Sequence, residues 1–336
     1  MDGPSKQQHS LLPSSVLFQN QDKTIVVLDI PRTLEEAQSY TAGGQLEPLE
    51  RRIYSVEPFS SPFVTPEPKD GSSAHWGQSP ASQIADLMTS AAVQSALQQL
   101  SSQYHGPYCH ARLTAPEPPA TTSGSFIPKD SHFLHGSIQD MRQEFVDTAP
   151  KFDIIVLDPP WPNRSARRSK KYTTAVNKTE MLDLLSLIPV SSHLATDGLV
   201  AIWVTNASSV LDLMTSPTGI LSSWGLELVT EWTWVKVTAA GEPLYPVDSQ
   251  WRKPWEKLLV AKRKGSRPPS SLRPTTIIAV PDLHSRKPNL RGLFQDVLGR
   301  DLTGLEVFAR NLTAGWWSWG DEVLHFQDDQ HWLTPA

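Results

Sequence analysis

FDIIVLDPPW, residues 152–161, runs from a short apolar stretch straight into a polar tetrapeptide. FDIIVL (152–157) has no regular in–out alternation, as expected of a strand covered on both faces of a parallel sheet. Asp158, Pro159, Pro160 and Trp161 follow at its carboxyl end. Further along, LVAIWVT (199–205) reads as a second buried strand, and TTIIAV (275–280) and LEVFAR (305–310) as two more. LELVTEWTWVK (226–236) and WEKLLVAKR (255–263) read as a strand pair. Helical spacing covers 178–188, 207–214 and 288–298, the last with Pro288 near its first turn. Strands alternating with helices predict an α/β fold with an open, mostly parallel sheet. Ligands of such sheets sit beyond the carboxyl ends of the strands. Three polar clusters fall there: Asp158–Trp161, His284–Pro288 and the segment from Arg310.

The first third is built differently. Only one of the 12 tryptophans, Trp76, precedes residue 160. Residues 23–30 and 51–56 read as strands, and 57–81 and 114–129 as linkers rich in Pro and Ser. Residues 82–103 place Ile84, Leu87, Ala91, Val93 and Leu97 at helical spacing. An accessory α+β domain over 1–130 and a sheet domain over 131–330 are predicted. The single cysteine, Cys109, excludes an intrachain disulfide and a cysteine metal cluster, and no metal is expected. No apolar run approaches the length of a membrane span, and MDGPSKQQHSLLPSS at the start lacks a secretory layout, so a nuclear or cytosolic protein is expected. The net charge of −5 excludes a general basic coat, which leaves local patches for any polyanion.

The tetrapeptide suits methylation of an exocyclic amine on a heteroaromatic base. Such an amine is a poor nucleophile because its lone pair is delocalised into the ring. A carboxylate at Asp158 that accepts one N–H bond favours a pyramidal nitrogen and draws off developing positive charge. A backbone carbonyl, held by the fixed φ of Pro159 and Pro160, can accept the second N–H. Trp161 offers a face on which the base could stack, at about 1–3 kcal/mol per base. The base would have to be unpaired or flipped out. The same four residues also read as a strand-terminating turn with a packed Trp.

FDIIVLDPPW, HSRKP (284–288), LEVFAR (305–310) and GWWSWGDEVL (315–324) together resemble the MT-A70 family of adenine-N(6) methyltransferases. Within it, NRSARRSKKY (163–172) and FARNLTAGWWSWG (308–320) are similar to the branch of methyltransferase-like protein 4. The resemblance spans roughly 132–330. It implies a class I (Rossmann-like) methyltransferase fold and S-adenosylmethionine as cofactor. It assigns Asp140 to the cofactor's adenine amine, Met141 to a backbone contact, Lys287 to the methionine carboxylate, and Arg310 to the ribose side. Asp158 also belongs to that cofactor set. His284, in the same loop as Ser285, Arg286 and Lys287, also belongs to the cofactor set or is equally a satisfied turn histidine. Asp321 and Glu322 stand where the family has Asn and a polar residue; an Asp there can accept from a ribose hydroxyl but cannot donate.

On the substrate side, Arg164, Arg167, Arg168, Lys170 and Lys171 follow the tetrapeptide as a phosphate clamp or a solvated basic loop. Tyr172 and Trp255 are candidate stacking groups, Trp255 equally a core residue. Lys236, Arg252, Lys253 and Glu256 lie where the family arranges substrate contacts. Trp316, Trp317 and Trp319 are read as structural packing. The branch implies RNA as partner, in particular an internal adenosine of a spliceosomal small nuclear RNA, and is compatible with action as a monomer. Adenine in DNA, a non-catalytic nucleic-acid-binding subunit and another planar amine such as cytosine are the alternatives. Silent members lose residues of the tetrapeptide or the cofactor lysine, whereas Asp158, Trp161 and Lys287 are all present here.

Overall fold

The structure is a computed structural model that describes residues 14–39, 51–64, 80–114, 124–162, 178–249 and 252–333. The strands are β1 (Val16–Gln19), β2 (Ile25–Leu28), β3 (Arg52–Ile53), β4 (His132–His135), β5 (Phe152–Leu157), β6 (Leu194–Val204), β7 (Leu226–Lys236), β8 (Trp255–Arg263), β9 (Thr275–Ala279), β10 (Gly304–Val307), β11 (Trp317–Gly320) and β12 (Trp332–Leu333). The helices are α1 (Ile30–Ala37), α2 (Pro80–Gln103), α3 (Ile138–Thr148), α4 (Lys178–Ser186), α5 (Val190–His193), α6 (Ser208–Thr215), α7 (Ile220–Ser223) and α8 (Arg291–Leu298).

Ten strands form one sheet in the order β1-β2-β9-β7-β8-β6-β5-β10-β11-β4. Only β1 and β8 run against the rest. The predicted open, mostly parallel α/β sheet is therefore present. β5 lies between β6 and β10, and its consecutive residues point to opposite faces. Ile155 and Leu157 pack on one side with Phe145, Met181, Ile202 and Trp319. Ile154 and Val156 pack on the other with Val26, Trp203, Trp232 and Phe294. All four β5 residues are at most 5% exposed, which explains the unbroken apolar run. Since β5, β6, β7, β9, β10, β11 and β4 all run one way, their carboxyl ends share one edge, where β8 begins.

Several differences from expectation have local causes. Residues before 130 do not keep to a core of their own. β2 pairs in parallel with β9, and Val26, Leu28, Ile30 and Leu34 join the same cluster as Ile154. A strand as apolar as IVVL leaves water only by joining an edge of the large sheet. β12 pairs with β3, tying the C-terminal part to the same region. β4 and β11 are additional strands, too short for a periodicity to show. β10 stops at Val307 because Phe308 turns the chain with φ of 59°, so Arg310 stands beyond the strand end. α8 begins at Arg291, after Asn289 Oδ1 accepts the Arg291 N–H at 3.0 Å; Pro288 precedes the helix. In α2 the docked face is Val93, Ala96 and Leu100, while Ile84 and Leu87 of the expected stripe are 58% and 70% exposed.

Gly304 opens β10 where a Cβ would stand 2.2 Å from the ring of the buried Trp316. Gly304→Ala is expected to lower unfolding free energy by about 1–3 kcal/mol through overpacking, measured by urea denaturation. A stability equal to wild type would show that Trp316 has room to move.

Candidate active site

Asp158 leaves the end of β5, its N–H donating to Val307 O of β10 at 3.3 Å. Pro159 O accepts from Trp161 N–H at 2.8 Å, which closes a tight turn and fixes the tetrapeptide backbone. That carbonyl keeps a second lone pair. Trp161 is 7% exposed, packs in the main core and donates its indole N–H to Trp203 O at 2.7 Å. This corrects the expectation of a base-stacking face: a buried indole must satisfy its N–H, and here that bond pins the ring under the loop. Trp161 is packed, as in the reading of the tetrapeptide as a strand-terminating turn, while the Asp158 carboxylate stays partly exposed at the sheet edge.

Lys287, from the loop after β9, donates to both carboxylate oxygens of Asp158 at 3.1 Å. It also lies 3.2 Å from Glu256 Oε2, and Glu256 pairs on its other side with Lys236. Glu256 is the second residue of β8, and Lys236 is the last of β7. Reversal of β8 thus carries a carboxylate into the shared edge. The four side chains form an alternating row: Lys236, Glu256, Lys287, Asp158. Each is about a quarter exposed, which matches a site open on one side.

The charges are tuned by burial and by each other. Burial lifts Asp158 above the usual aspartate range, with Lys287 opposing and Glu256 adding to the lift. The result is a better proton acceptor than an exposed aspartate. Burial alone would lower Lys287, but Asp158 and Glu256 hold it well above the ordinary lysine range. Burial alone would raise Glu256, but Lys287 and Lys236 bring it down to about 2. Lys287 is therefore a fixed cation and Glu256 a fixed anion.

Glu306, the third residue of β10, is a titratable carboxyl that the sequence reading missed. Burial, and secondarily Asp158, push it up to about 8. One carboxylate in the apolar stretch Leu305-Glu306-Val307 was the available signal.

A second corner lies at the carboxyl ends of β4, β10 and β11. Asp140 is in the first turn of α3, its side chain accepting from Ser137 Oγ at 2.7 Å, and Met141 follows it on the edge of the core. Asp321 and Glu322 follow β11. Burial raises Asp321, and so do Asp140 and Glu322. His135 Nε2 stands 3.0 Å from Asp321 O. Arg310 pairs with Glu322 at 2.6 Å. Gly320 permits this corner, since a Cβ there would stand 3.1 Å from backbone atoms of Ala309. The structure thus brings Asp140, Met141, Arg310, Asp321 and Glu322 together, next to the row that holds Asp158 and Lys287.

Other expected residues take different places. Trp255 is 1% exposed and belongs to the core with Val235 and Ile278, so it is no stacking platform. Its place as first residue of β8, where side chains are buried on both faces, accounts for this. Trp316 and Trp319 are buried, as read from the sequence; Trp319 stacks on Phe145 at 4.6 Å. His284 is exposed, with Ser285 Oγ 2.7 Å from its Nδ1. Arg286 is 2% exposed and pairs with Asp282, so it braces the Lys287 loop from within. Arg164, Arg167, Arg168, Lys170, Lys171 and Tyr172 lie outside the described residues. Among the described residues no group of acidic, histidine or cysteine side chains could hold a metal ion, and no helix is long and apolar enough to cross a membrane.

Comparisons with known proteins bear on this geometry. The MT-A70 family model matches residues 152–322, from β5 to just beyond β11. The chain is 52% identical to the N6-methyladenosine RNA methyltransferase MTA1 of Cryphonectria parasitica, over 95% of this chain and 94% of that one. It is 36% identical to the N(6)-adenine-specific methyltransferase METTL4 of Homo sapiens, over 62% of this chain and 45% of the relative. It is 34% identical to a DNA N6-methyl methyltransferase of Caenorhabditis elegans, over 61% and 54%.

Glu306 gives the site a pH signature. A carboxyl whose pKa rises on folding from 4.5 to about 8 keeps a proton that the unfolded chain releases. Its stabilising contribution is complete below 4.5 and is lost as pH rises towards 8. Glu306→Gln should therefore flatten the fall in melting temperature between those pH values. Parallel melting curves for variant and wild type across that range would contradict the assignment.

Proposed function

The chain belongs to the MT-A70 family, and on that footing we propose that it transfers the methyl group of S-adenosylmethionine to the exocyclic amine of adenine in RNA. We further propose an internal adenosine of a spliceosomal small nuclear RNA as the target and the nucleus as the place of action. The observation that carries the reading is Lys287 bridging Asp158 and Glu256 at the carboxyl edge of the sheet. A fixed cation beside carboxylates is a donor set suited to an amino acid that carries both an ammonium and a carboxylate. In this reading Lys287 faces the methionine carboxylate, Arg310 and Glu322 the ribose, and Asp140 with Met141 the adenine.

When bound, the cofactor supplies an electrophilic methyl group on sulfur. The work of the protein is to prepare the amine. Asp158, lifted by burial, accepts one N–H of the target and favours the pyramidal nitrogen that attacks. The Asp158–Trp161 turn, pinned through the Trp161 indole, keeps that acceptor and its neighbouring carbonyl in register. Lys236 and Glu256 hold the lysine end of the row in place.

RNA is favoured because relatives aligned over nearly all of both chains are named for RNA. DNA adenine is the second reading, favoured by the name of the nematode relative. A labelled-methyl transfer assay on matched RNA and DNA oligonucleotides, with the product nucleoside identified, tests both; transfer to neither overturns the proposal. Asp158→Ala should abolish transfer while leaving cofactor binding largely intact, and wild-type turnover would refute the mechanism. Lys287→Ala should weaken cofactor binding by about 1.5–3 kcal/mol, read by calorimetry, through loss of a charged contact. An unchanged affinity would remove Lys287 from the cofactor site.

A further inference from the structure

Beyond the charged row, one surface sets aromatic rings and a cation side by side. The connection from β7 to β8 packs against residues 57–64, a stretch that composition alone marks as linker. Ala239 N–H donates to Phe59 O at 2.8 Å, and Phe63 N–H donates to Leu244 O at 2.9 Å. This backbone clasp gathers three rings, Phe59 edge-on to Phe63 at 68° and Phe63 tilted by 38° to Tyr245. The Phe59 and Phe63 centroids are 4.9 Å apart, and those of Phe63 and Tyr245 are 5.4 Å apart. Arg252 donates to Tyr245 Oη at 3.0 Å, and its guanidinium stands 5.7 Å from that ring. Phe63 is 39% exposed and Arg252 is exposed, so these groups are not spent on the core.

The surface is continuous with the site. Leu244 N–H donates to Lys236 O at 2.9 Å, and Lys236 opens the row that leads through Glu256 and Lys287 to Asp158. We propose that Phe59, Phe63, Tyr245 and Arg252 form a platform for the single-stranded nucleotides that flank the target adenine. The proposal rests on the methyltransferase reading above. Every base has a π face, so a row of rings holds neighbouring nucleotides without demanding a particular sequence. A guanidinium anchored on a tyrosine hydroxyl keeps donors spare for a phosphate. In a chain with a net charge of −5, such local pairing of ring and cation is how a polyanion is held. Glu242 and Asp248 are also exposed on this connection, so stacking supplies more of the affinity than counter-ion release does.

The test is fluorescence anisotropy with labelled single-stranded RNA and a matched DNA strand, in full-length wild type and in Phe63→Ala, Tyr245→Ala and Arg252→Gln. Cofactor affinity is measured on the same preparations to show that each variant is folded. Each aromatic variant should weaken binding of the preferred strand about fivefold or more, the equivalent of about 1 kcal/mol. The salt dependence should fall only in Arg252→Gln. Folded variants that bind as wild type does, while wild type methylates the oligonucleotide, overturn the platform and leave the activity standing. Equal or tighter binding of the duplex form also overturns it. Wild type that neither binds nor methylates either strand overturns the activity, and the platform with it.

Discussion

A lysine held between two carboxylates costs desolvation on all three groups, and only close geometry repays it. Lys287 meets that condition with contacts of 3.1 Å to Asp158 and 3.2 Å to Glu256. The three groups come from three places apart in sequence: Asp158 from the turn after β5, Glu256 from the start of β8 and Lys287 from the loop after β9. The ion row therefore acts as a clasp on the carboxyl edge of the sheet as well as a recognition element. Arg286, buried beside Lys287 and paired with Asp282, braces the same loop from the side of the N-terminal residues. Its Nη1 also donates to Tyr54 O at 2.8 Å, which links the loop to the segment of β3.

Strand direction sets what this edge can do. A wholly parallel sheet would present only residues that follow strands. Reversal of β8 puts a residue that begins a strand, Glu256, into the same row. The chain belongs to the MT-A70 family, and its site divides accordingly. The Asp140–Asp321–Glu322 corner and Arg310 gather around the ends of β4, β10 and β11. The Lys236–Glu256 side opens towards the β7–β8 connection and its aromatic neighbours. Asp158 stands between the two.

Much of this was legible in the sequence. The doubly covered strand at 152–157, the β7–β8 pair and the position of Asp158 and Lys287 at the sheet edge follow from apolar runs that end in polar residues. What stayed hidden depends on contacts between distant segments. The four-residue strands β4 and β11 are too short for alternation to register. Trp161 and Trp255 look like stacking groups because an aromatic beside a polar motif gives no sign of which way its ring points. Burial and the Trp161–Trp203 bond answer that only once β6 is in place. One charge in the apolar stretch of Glu306 looks incidental until its burial and the field of Asp158 are known. Nothing in IVVL says whose edge it will join, so its pairing with β9 is invisible in the sequence.

The order of the strands also governs how the molecule comes together. β2 finds its parallel neighbour in β9, with Ile25 opposite Thr276, and β4 finds its own in β11, with His132 opposite Trp317. Both flanks of the sheet thus close across very long loops, whose entropic cost must be met before the pairing rewards it. During synthesis, IVVL can pack against Ile30 and Leu34 of α1 and Val93 and Leu100 of α2, but the edge that pairs with β9 waits until the last third of the chain has been made. A chain of this topology is expected to fold slowly and to rely on protection of that early apolar strand, so the supply of active enzyme is governed by its assembly as well as by its chemistry.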